Sequence, residues 1–86
     1  MYSKYHRALW RAVNCVAERC GHSCSGFALR CGLDATAFNN SKRQSRYGQP
    51  RWLSSETIAK ILIASGLTLA QFAEIFERCL ENMDLE

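Results

Sequence analysis

The sequence has a single proline, five glycines and few clusters of β-branched residues among its 86 positions. Strands and the turns between them are built largely from such residues, so their scarcity disfavours a β-rich fold. No apolar run approaches the roughly 18 residues of a membrane span, and the first 20 residues contain no apolar signal-peptide core. These absences predict an all-α protein of the cytoplasm.

The chain is also short, about half the usual length of one domain. A chain of this size buries only about 60% of the surface that it exposes when unfolded. Its hydrophobic fraction of 48% is enough for one compact core. We therefore expect a single domain over residues 1–86, and a non-enzymatic one, since most enzymes need a longer chain.

The cysteine content does not point to a disulfide framework. The count of five is odd, and no export signal accompanies it, so reduced thiols are expected. Four of the five follow a C-x4-C-x3-C-x6-C pattern (Cys15, Cys20, Cys24, Cys31). This pattern does not repeat the C-x2–4-C pair of structural zinc sites, so we expect no metal and no cofactor. A thiol- or metal-sensing module, acting mainly through Cys24 at a helix start, stays open as an alternative.

Apolar periodicity and capping residues predict five helices. Ser3 caps the first, which runs to about Cys20 and stops at Gly21. The others are Cys24–Cys31 after Ser23, Ala35–Lys42 after Asp34, a helix from Ser54 or Ser55 to Gly66, and an acidic one over 68–86. Thr68 and Gln71 form a capping box for the last helix. Its predicted apolar stripe is Leu69, Phe72, Ile75, Phe76, Cys79 and Leu80.

The segment 23–43 has the dimensions of a helix-turn-helix. Ala28 is small enough for two helices to cross closely, and Gly32 tolerates the positive φ of the corner. In the third helix only Phe38 and two alanines are apolar, so we expect it to be mostly exposed. An ordinary helical hairpin in a small bundle has the same spacing and remains the competing interpretation.

Four polar residues in this third helix follow i, i+3, i+4, i+7 spacing: Thr36, Asn39, Asn40 and Arg43. On an α-helix they share one face. Asparagine can bond adenine, arginine can bond guanine, and threonine offers a hydroxyl and a methyl group. The pattern therefore predicts a face that reads base edges.

Positive charge gathers around the predicted helix-turn-helix. Residues 1–52 hold nine basic and two acidic residues, a net charge of +7, and residues 53–86 have a net charge of −4. The segment 41–52 lacks helical periodicity and carries four cations and no acid: Lys42, Arg43, Arg46 and Arg51. We interpret it as an exposed basic loop beside the reading face, and the amino-terminal part as the one suited to a polyanion.

Residues 9–76 resemble the amino-terminal DNA-binding domain of phage-type, lambda-repressor-like (Xre-like) helix-turn-helix repressors. The most specific matches are nine positions of the run 32–43, the pair Arg51–Trp52 and SSETIAKIL (54–62). The nine positions are Gly32, Leu33, Asp34, Thr36, Phe38, Asn39, Ser41, Lys42 and Arg43. The resembling members carry a LexA-like serine–lysine self-cleaving peptidase domain after this one. Since 86 residues are too few for that domain, we expect no catalytic residue.

The resemblance implies a five-helix repressor-like domain whose third helix enters the major groove. It assigns Thr36, Asn39 and Asn40 to bases, with apolar contact from Ala35. It assigns phosphates to Ser23, Ser25, Lys42, Arg43, Arg46 and Arg51, with Arg51 alternatively in a minor groove. The implied partner is a palindromic double-stranded DNA operator, bound by a homodimer. Trp52 is expected to pack and hold the loop rather than stack on a base.

The chain departs from the resembling members at four positions. They carry proline at the positions of Cys24, Ala35 and Leu53, and a basic residue at Asn40. Because Asn40 replaces a basic residue, the base preference of those members does not transfer directly to this chain. A helical protein-interaction module without DNA reading is the other alternative, with Tyr2, Tyr5, Trp10, Phe76 and Leu80 as candidates for its surface or for the core.

Overall fold

The computed structural model describes residues 4–45 and 47–84, in which α-helices predominate. Four α-helices are present in this part of the chain: α1 (Lys4–Arg19), α2 (Cys24–Arg30), α3 (Ser55–Ser65) and α4 (Leu69–Asp84). The only extended pairing over the same ranges is an isolated antiparallel bridge between Gln44 and Pro50. The all-α class is confirmed, and the prediction of five helices is not.

The core is organised around α1, which packs mainly against α4 and less against α2. Apolar residues recur along α1 at helical spacing, so one side of it can be buried almost completely. The largest fully buried side chains come from α1, α2, α3 and the segment after α2: Val13, Val16, Phe27, Ile61 and Phe38. In the segment after α2, Phe38 is the one large side chain that is fully buried, and it anchors this segment in the core.

The helix ends follow their predicted capping residues. Ser23 Oγ accepts a hydrogen bond from the Gly26 amide at 3.2 Å, and Ser54 Oγ accepts one from Thr57 at 3.1 Å. The capping box of α4 is complete: its two reciprocal bonds measure 2.9 and 3.1 Å. Ser3, the predicted cap of α1, lies outside the described residues. Local chemistry thus sets the start of each of the other three helices.

The turn after α2 has the positive φ that was predicted at Gly32. Gly32 adopts φ +79°. Its amide donates to the Leu29 carbonyl at 3.0 Å, and the Leu33 amide donates to the Ala28 carbonyl at 2.9 Å. This Schellman pattern satisfies the last carbonyls of α2 and turns the chain away from the helix axis.

The predicted third helix, Ala35–Lys42, is wrong as an α-helix. Residues 34–42, here called the turn segment, form successive turns that end in a short 3-10 helix, Asn40–Lys42. Their amides bond three residues back, as from Ala37 to Asp34 and from Lys42 to Asn39, both at 2.9 Å. Asn39 is extended, with ψ 152°. The segment is short, rich in Asp, Asn and Ser, and buries one large side chain, so an α-helical repeat gains little there.

The apolar stripe of α4 is largely as predicted, with Phe72, Ile75 and Cys79 buried. Leu69, in the first turn of α4, is the exception at 62% exposed. No single helix in the described chain is long and apolar enough to span a membrane. Helices α3 and α4 together have the length and the hydropathy of a membrane span, but the chain bends by 103° at the break between them.

Candidate functional site

The basic loop folds back on itself between residues 43 and 51. The Arg51 amide donates to the Arg43 carbonyl at 2.9 Å, and the Ser45 amide donates to the Gln49 carbonyl at 2.8 Å. Ser45 Oγ also accepts from the Gln49 amide at 3.2 Å, and Gly48 supplies a φ of +78° at the tip. The loop is therefore a hairpin-like structure with a defined base.

Two side chains of α1 hold that base. His6 Nε2 lies 3.1 Å from the Arg43 carbonyl and 3.0 Å from the Arg51 carbonyl. Both partners are acceptors, so Nε2 carries the proton. Trp10 Nε1–H donates to the same Arg51 carbonyl at 3.1 Å. Trp52 is 53% exposed and meets the edge of His6 at 5.3 Å between ring centroids, a contact that adds packing at the loop base.

Arg43 faces the interior rather than the predicted reading face. Its Nη2 donates to Asn14 Oδ1 at 2.8 Å and to the Phe38 carbonyl at 3.0 Å. Its guanidinium also lies 5.0 Å from the ring centroid of Trp10. The predicted i, i+3, i+4, i+7 face depends on an α-helix that does not form, and Arg43 is not part of an exposed set with the other three residues.

The other predicted reading residues lie on the turn segment with differing exposure. Thr36, Asn39 and Asn40 are exposed, and Ala35 is half-buried. Asn39 precedes the 3-10 helix without capping it through its side chain, so its amide group is not committed to helix capping. Their role in reading bases stays a prediction.

One open cleft of about 410 Å³ lies between the turn segment and the loop. It brings together two of the predicted phosphate-binding cations and four uncharged polar residues: Lys42, Arg51, Asn40, Ser41, Gln44 and Ser45. Both cations are exposed, and the described lining contains no carboxylate. Arg46, the third predicted loop cation, lies outside the described residues.

A second, larger cleft of about 570 Å³ adjoins the first through Asn40 and Gln44. Its other lining residues come from α1 and the loop base: His6, Arg7, Trp10, Arg11 and Arg43. Neither Arg7 nor Arg11 was among the residues predicted from the sequence to contact DNA. Their i, i+4 spacing, one position after His6 and Trp10, was the signal that places them along one edge of this cleft.

The predicted phosphate contacts at the start of α2 are not part of these two clefts. Ser23 and Ser25 are exposed, and their hydroxyl oxygens lie 3.3 Å apart. Ser23 already caps α2 through Gly26. The structure thus brings Lys42 and Arg51 together with Asn40, and leaves the two serines as a separate small polar patch.

Acidic side chains collect elsewhere. Glu74, Glu77 and Glu81 on α4 line a shallow cleft of about 270 Å³ with Arg78. The two clefts around the loop are therefore lined by cations without a described carboxylate, whereas the cleft on α4 is lined by three carboxylates and one cation.

The cysteines give limited support to a sensing module. Cys24 Sγ–H donates to Asn14 Oδ1 at 3.1 Å, so this thiol is already engaged. Burial, assisted by the proximity of Cys20, raises the pKa of the Cys31 thiol. Over residues 4–45 and 47–84, no three His, Cys, Asp or Glu side chains are grouped so that they could hold a metal ion.

The apolar residues considered for a docking surface are mostly in the core. Trp10 is 4% exposed, Phe76 and Leu80 are half-buried, and Tyr5 is 51% exposed. Tyr2 lies outside the described residues. The four that are described, Tyr5, Trp10, Phe76 and Leu80, do not form a shared exposed apolar face.

Comparisons of the chain with protein-family models, with curated proteins and with solved structures found no match.

Proposed function

We propose that the chain is a sequence-specific, double-stranded-DNA-binding transcriptional regulator of the phage-repressor type, with no enzymatic activity. The observation that carries the proposal is the pair of adjoining clefts, which form one surface from α1 to the loop. This surface, here called the basic surface, is lined by cations and uncharged polar groups, and its described lining has no carboxylate.

Such a surface suits the phosphate backbone. Each phosphate neutralised by Lys or Arg releases condensed counterions, and this release supplies much of the affinity of DNA-binding proteins. Lys42, Arg51, Arg7 and Arg11 are exposed around the two clefts, where a phosphate backbone can approach their charged groups. Arg46 and the serine pair at α2 are included in the proposal as further backbone contacts.

Base reading is proposed for the turn segment, in place of the α-helix expected there. Thr36, Asn39 and Asn40 carry the hydrogen-bonding groups that the major groove requires, and Ala35 offers an apolar contact. Phe38 anchors the segment in the core, which holds these side chains at a fixed place beside the cations. Arg43 acts in this proposal as a positioning residue, since it joins the segment to α1 through Asn14.

The proposed partner is an operator with two half-sites, bound by a homodimer that forms at least on DNA, in the bacterial cytoplasm. Two-fold symmetric binding requires half-site centres about 10 bp, or one helical turn, apart. The acidic cleft of α4 faces a different partner or solvent in this arrangement, because its carboxylates are repelled by DNA.

The experiment that tests the proposal is selection of bound sequences from random duplexes at low salt. We expect enrichment of a palindromic motif with half-site centres about 10 bp apart. The charge-reversed variant Arg51→Glu should lose binding to all duplexes, whereas Arg78→Glu on α4 should retain the enriched motif. If the wild-type protein enriches no sequence and binds no duplex at high protein concentration, the proposal is wrong and an interaction module is the better description.

A further inference from the structure

Two cysteines from different helices meet at the largest helix interface. Cys15 on α1 and Cys79 on α4 line the same open cleft of about 270 Å³. The rest of the lining is polar or charged: Arg11, Asn14, Glu18 and Asn82. The two thiols are therefore neighbours in space although they are far apart in the chain.

The pair combines one accessible and one sheltered sulfur. Cys15 is exposed, and Cys79 is 8% exposed. Burial raises the pKa of the Cys79 thiol, and the charge of Cys15 and a hydrogen bond between the two side chains raise it further, against a lowering by Arg11. Direct side-chain contact between two thiols is the arrangement that thiol–disulfide chemistry requires.

We propose that Cys15 and Cys79 are a modification site at which a peroxide oxidant forms an intramolecular disulfide. The Cys15 thiolate attacks one peroxide oxygen, the O–O bond breaks, and the products are a Cys15 sulfenic acid and hydroxide. The Cys79 sulfur then attacks the Cys15 sulfur, the S–O bond breaks, and the released hydroxide takes up a proton. In total two thiols lose two electrons and two protons, and hydrogen peroxide becomes two waters.

The other cysteines differ from this pair in accessibility and in partners. Cys31 is buried and Cys20 is half-buried, so neither sulfur is as open to an oxidant as Cys15. Cys24 is half-buried and donates its S–H to Asn14. The peroxide thus reacts first with the exposed Cys15, and the buried Cys79 then resolves the sulfenic acid. The product ties α1 to α4 across their packed interface.

The test is treatment of the purified, fully reduced chain with hydrogen peroxide, followed by alkylation of free thiols and mass spectrometry without reductant. We expect a monomer with three alkylated cysteines and one cross-linked peptide pair joining Cys15 to Cys79, reversed by dithiothreitol. Cys15→Ser should abolish this product, and Cys24→Ser should form it at the wild-type rate. The measurement needs no DNA, so its outcome is independent of the proposed function.

Three results would overturn the inference. One is a wild-type product that joins Cys20 to Cys31 instead. Another is a Cys15→Ser variant that forms an intramolecular disulfide as fast as the wild type. The third is accumulation of overoxidised Cys15 with Cys79 still alkylatable after unfolding. Because Cys15 is exposed, the deciding variant is expected to fold, and circular dichroism verifies that it does.

Discussion

Asn14 and Arg43, 29 residues apart in the chain, are joined by a 2.8 Å hydrogen bond from the guanidinium Nη2 to the amide Oδ1. The same oxygen accepts the Cys24 S–H at 3.1 Å, and the same Nη2 donates to the Phe38 carbonyl at 3.0 Å. One side-chain amide on α1 therefore connects α2, the turn segment and the base of the loop.

Replacing Asn14 by alanine should destabilise the fold by about 2 kcal/mol, because a hydrogen bond to a charged group is lost and a half-buried guanidinium loses one of its two acceptors. For a domain of this size the midpoint of thermal unfolding should fall by about 10 °C. Denaturant titration followed by circular dichroism measures the change in the free energy of unfolding.

The matched controls for this variant are Asn14→Asp and Asn82→Ala. A carboxylate keeps an acceptor for Arg43, so Asn14→Asp should recover most of the lost stability. Asn82 is exposed on α4, and its replacement should change stability by less than about 0.5 kcal/mol. If Asn14→Ala and Asn14→Asp lowered the free energy of unfolding equally, the hydrogen bond to Arg43 would not be the source of the stability that Asn14 provides.

Stability should fall at alkaline pH, in part through Cys31 and Cys79. Burial raises the pKa of both thiols in the folded protein, so the unfolded state loses these protons first as the pH rises. Their contribution is complete below the ordinary thiol pKa of about 8.5 and is lost as the pH passes through the raised folded values.

Urea unfolding of the reduced protein between pH 7 and pH 10 measures this contribution. The double variant Cys31→Ala, Cys79→Ala should have a lower free energy of unfolding at pH 7, because the shorter side chains leave cavities. Above pH 8.5 its free energy of unfolding should decrease less than that of the wild type. Parallel pH profiles for the two proteins would show that the buried thiols do not contribute to the alkaline loss.

The helix ends were predictable because their signals are local. Ser23, Ser54 and the Thr68–Gln71 pair each satisfy amides within three residues, so no tertiary information is needed to place them. The turn segment was not predictable in the same way. An i, i+3, i+4 spacing of polar residues describes a face only if the helix forms, and one buried ring, Phe38, does not fix an α-helical repeat.

The site was predictable only in composition. The cations of the loop are visible in the sequence, and Lys42 and Arg51 do lie together. The inward position of Arg43 depends on Asn14 and Trp10, which are distant in the chain, so no local pattern indicates it. The same holds for Arg7, which lines one cleft with Arg43 and Gln44 although these residues are distant from it in the chain.

Replacing Asn39 by alanine should weaken binding to the selected operator by about 1–3 kcal/mol, or roughly 5- to 150-fold, and relax preference at one base position. The physical reason is the loss of a bidentate amide contact in the major groove. Fluorescence anisotropy against the operator and its single-base variants measures both effects. Asn82→Ala is the control, and an equal loss on every sequence would exclude Asn39 from base reading.

Replacing Arg7 by glutamine should weaken binding to all duplexes alike and reduce the slope of log K against log salt by about 1. Arg7 lies on the larger cleft of the basic surface, where a phosphate contact releases about one counterion. Arg78→Gln removes the same charge from the acidic cleft of α4 and should leave the slope unchanged. An unchanged slope in Arg7→Gln would limit the DNA contact to the loop cleft.

Because His6 and Trp10 hold the base of the loop, the fold can accept a longer loop. Both ends of the loop, at the carbonyls of Arg43 and Arg51, are held from α1 by side chains that lie outside the loop. Added residues beside Gly48, at the exposed tip, therefore cost mainly closure entropy, which grows by only about 0.6 kcal/mol for each doubling of loop length. The tip is the position where this fold can accept an insertion, such as a reporter peptide, while the helices keep their packing.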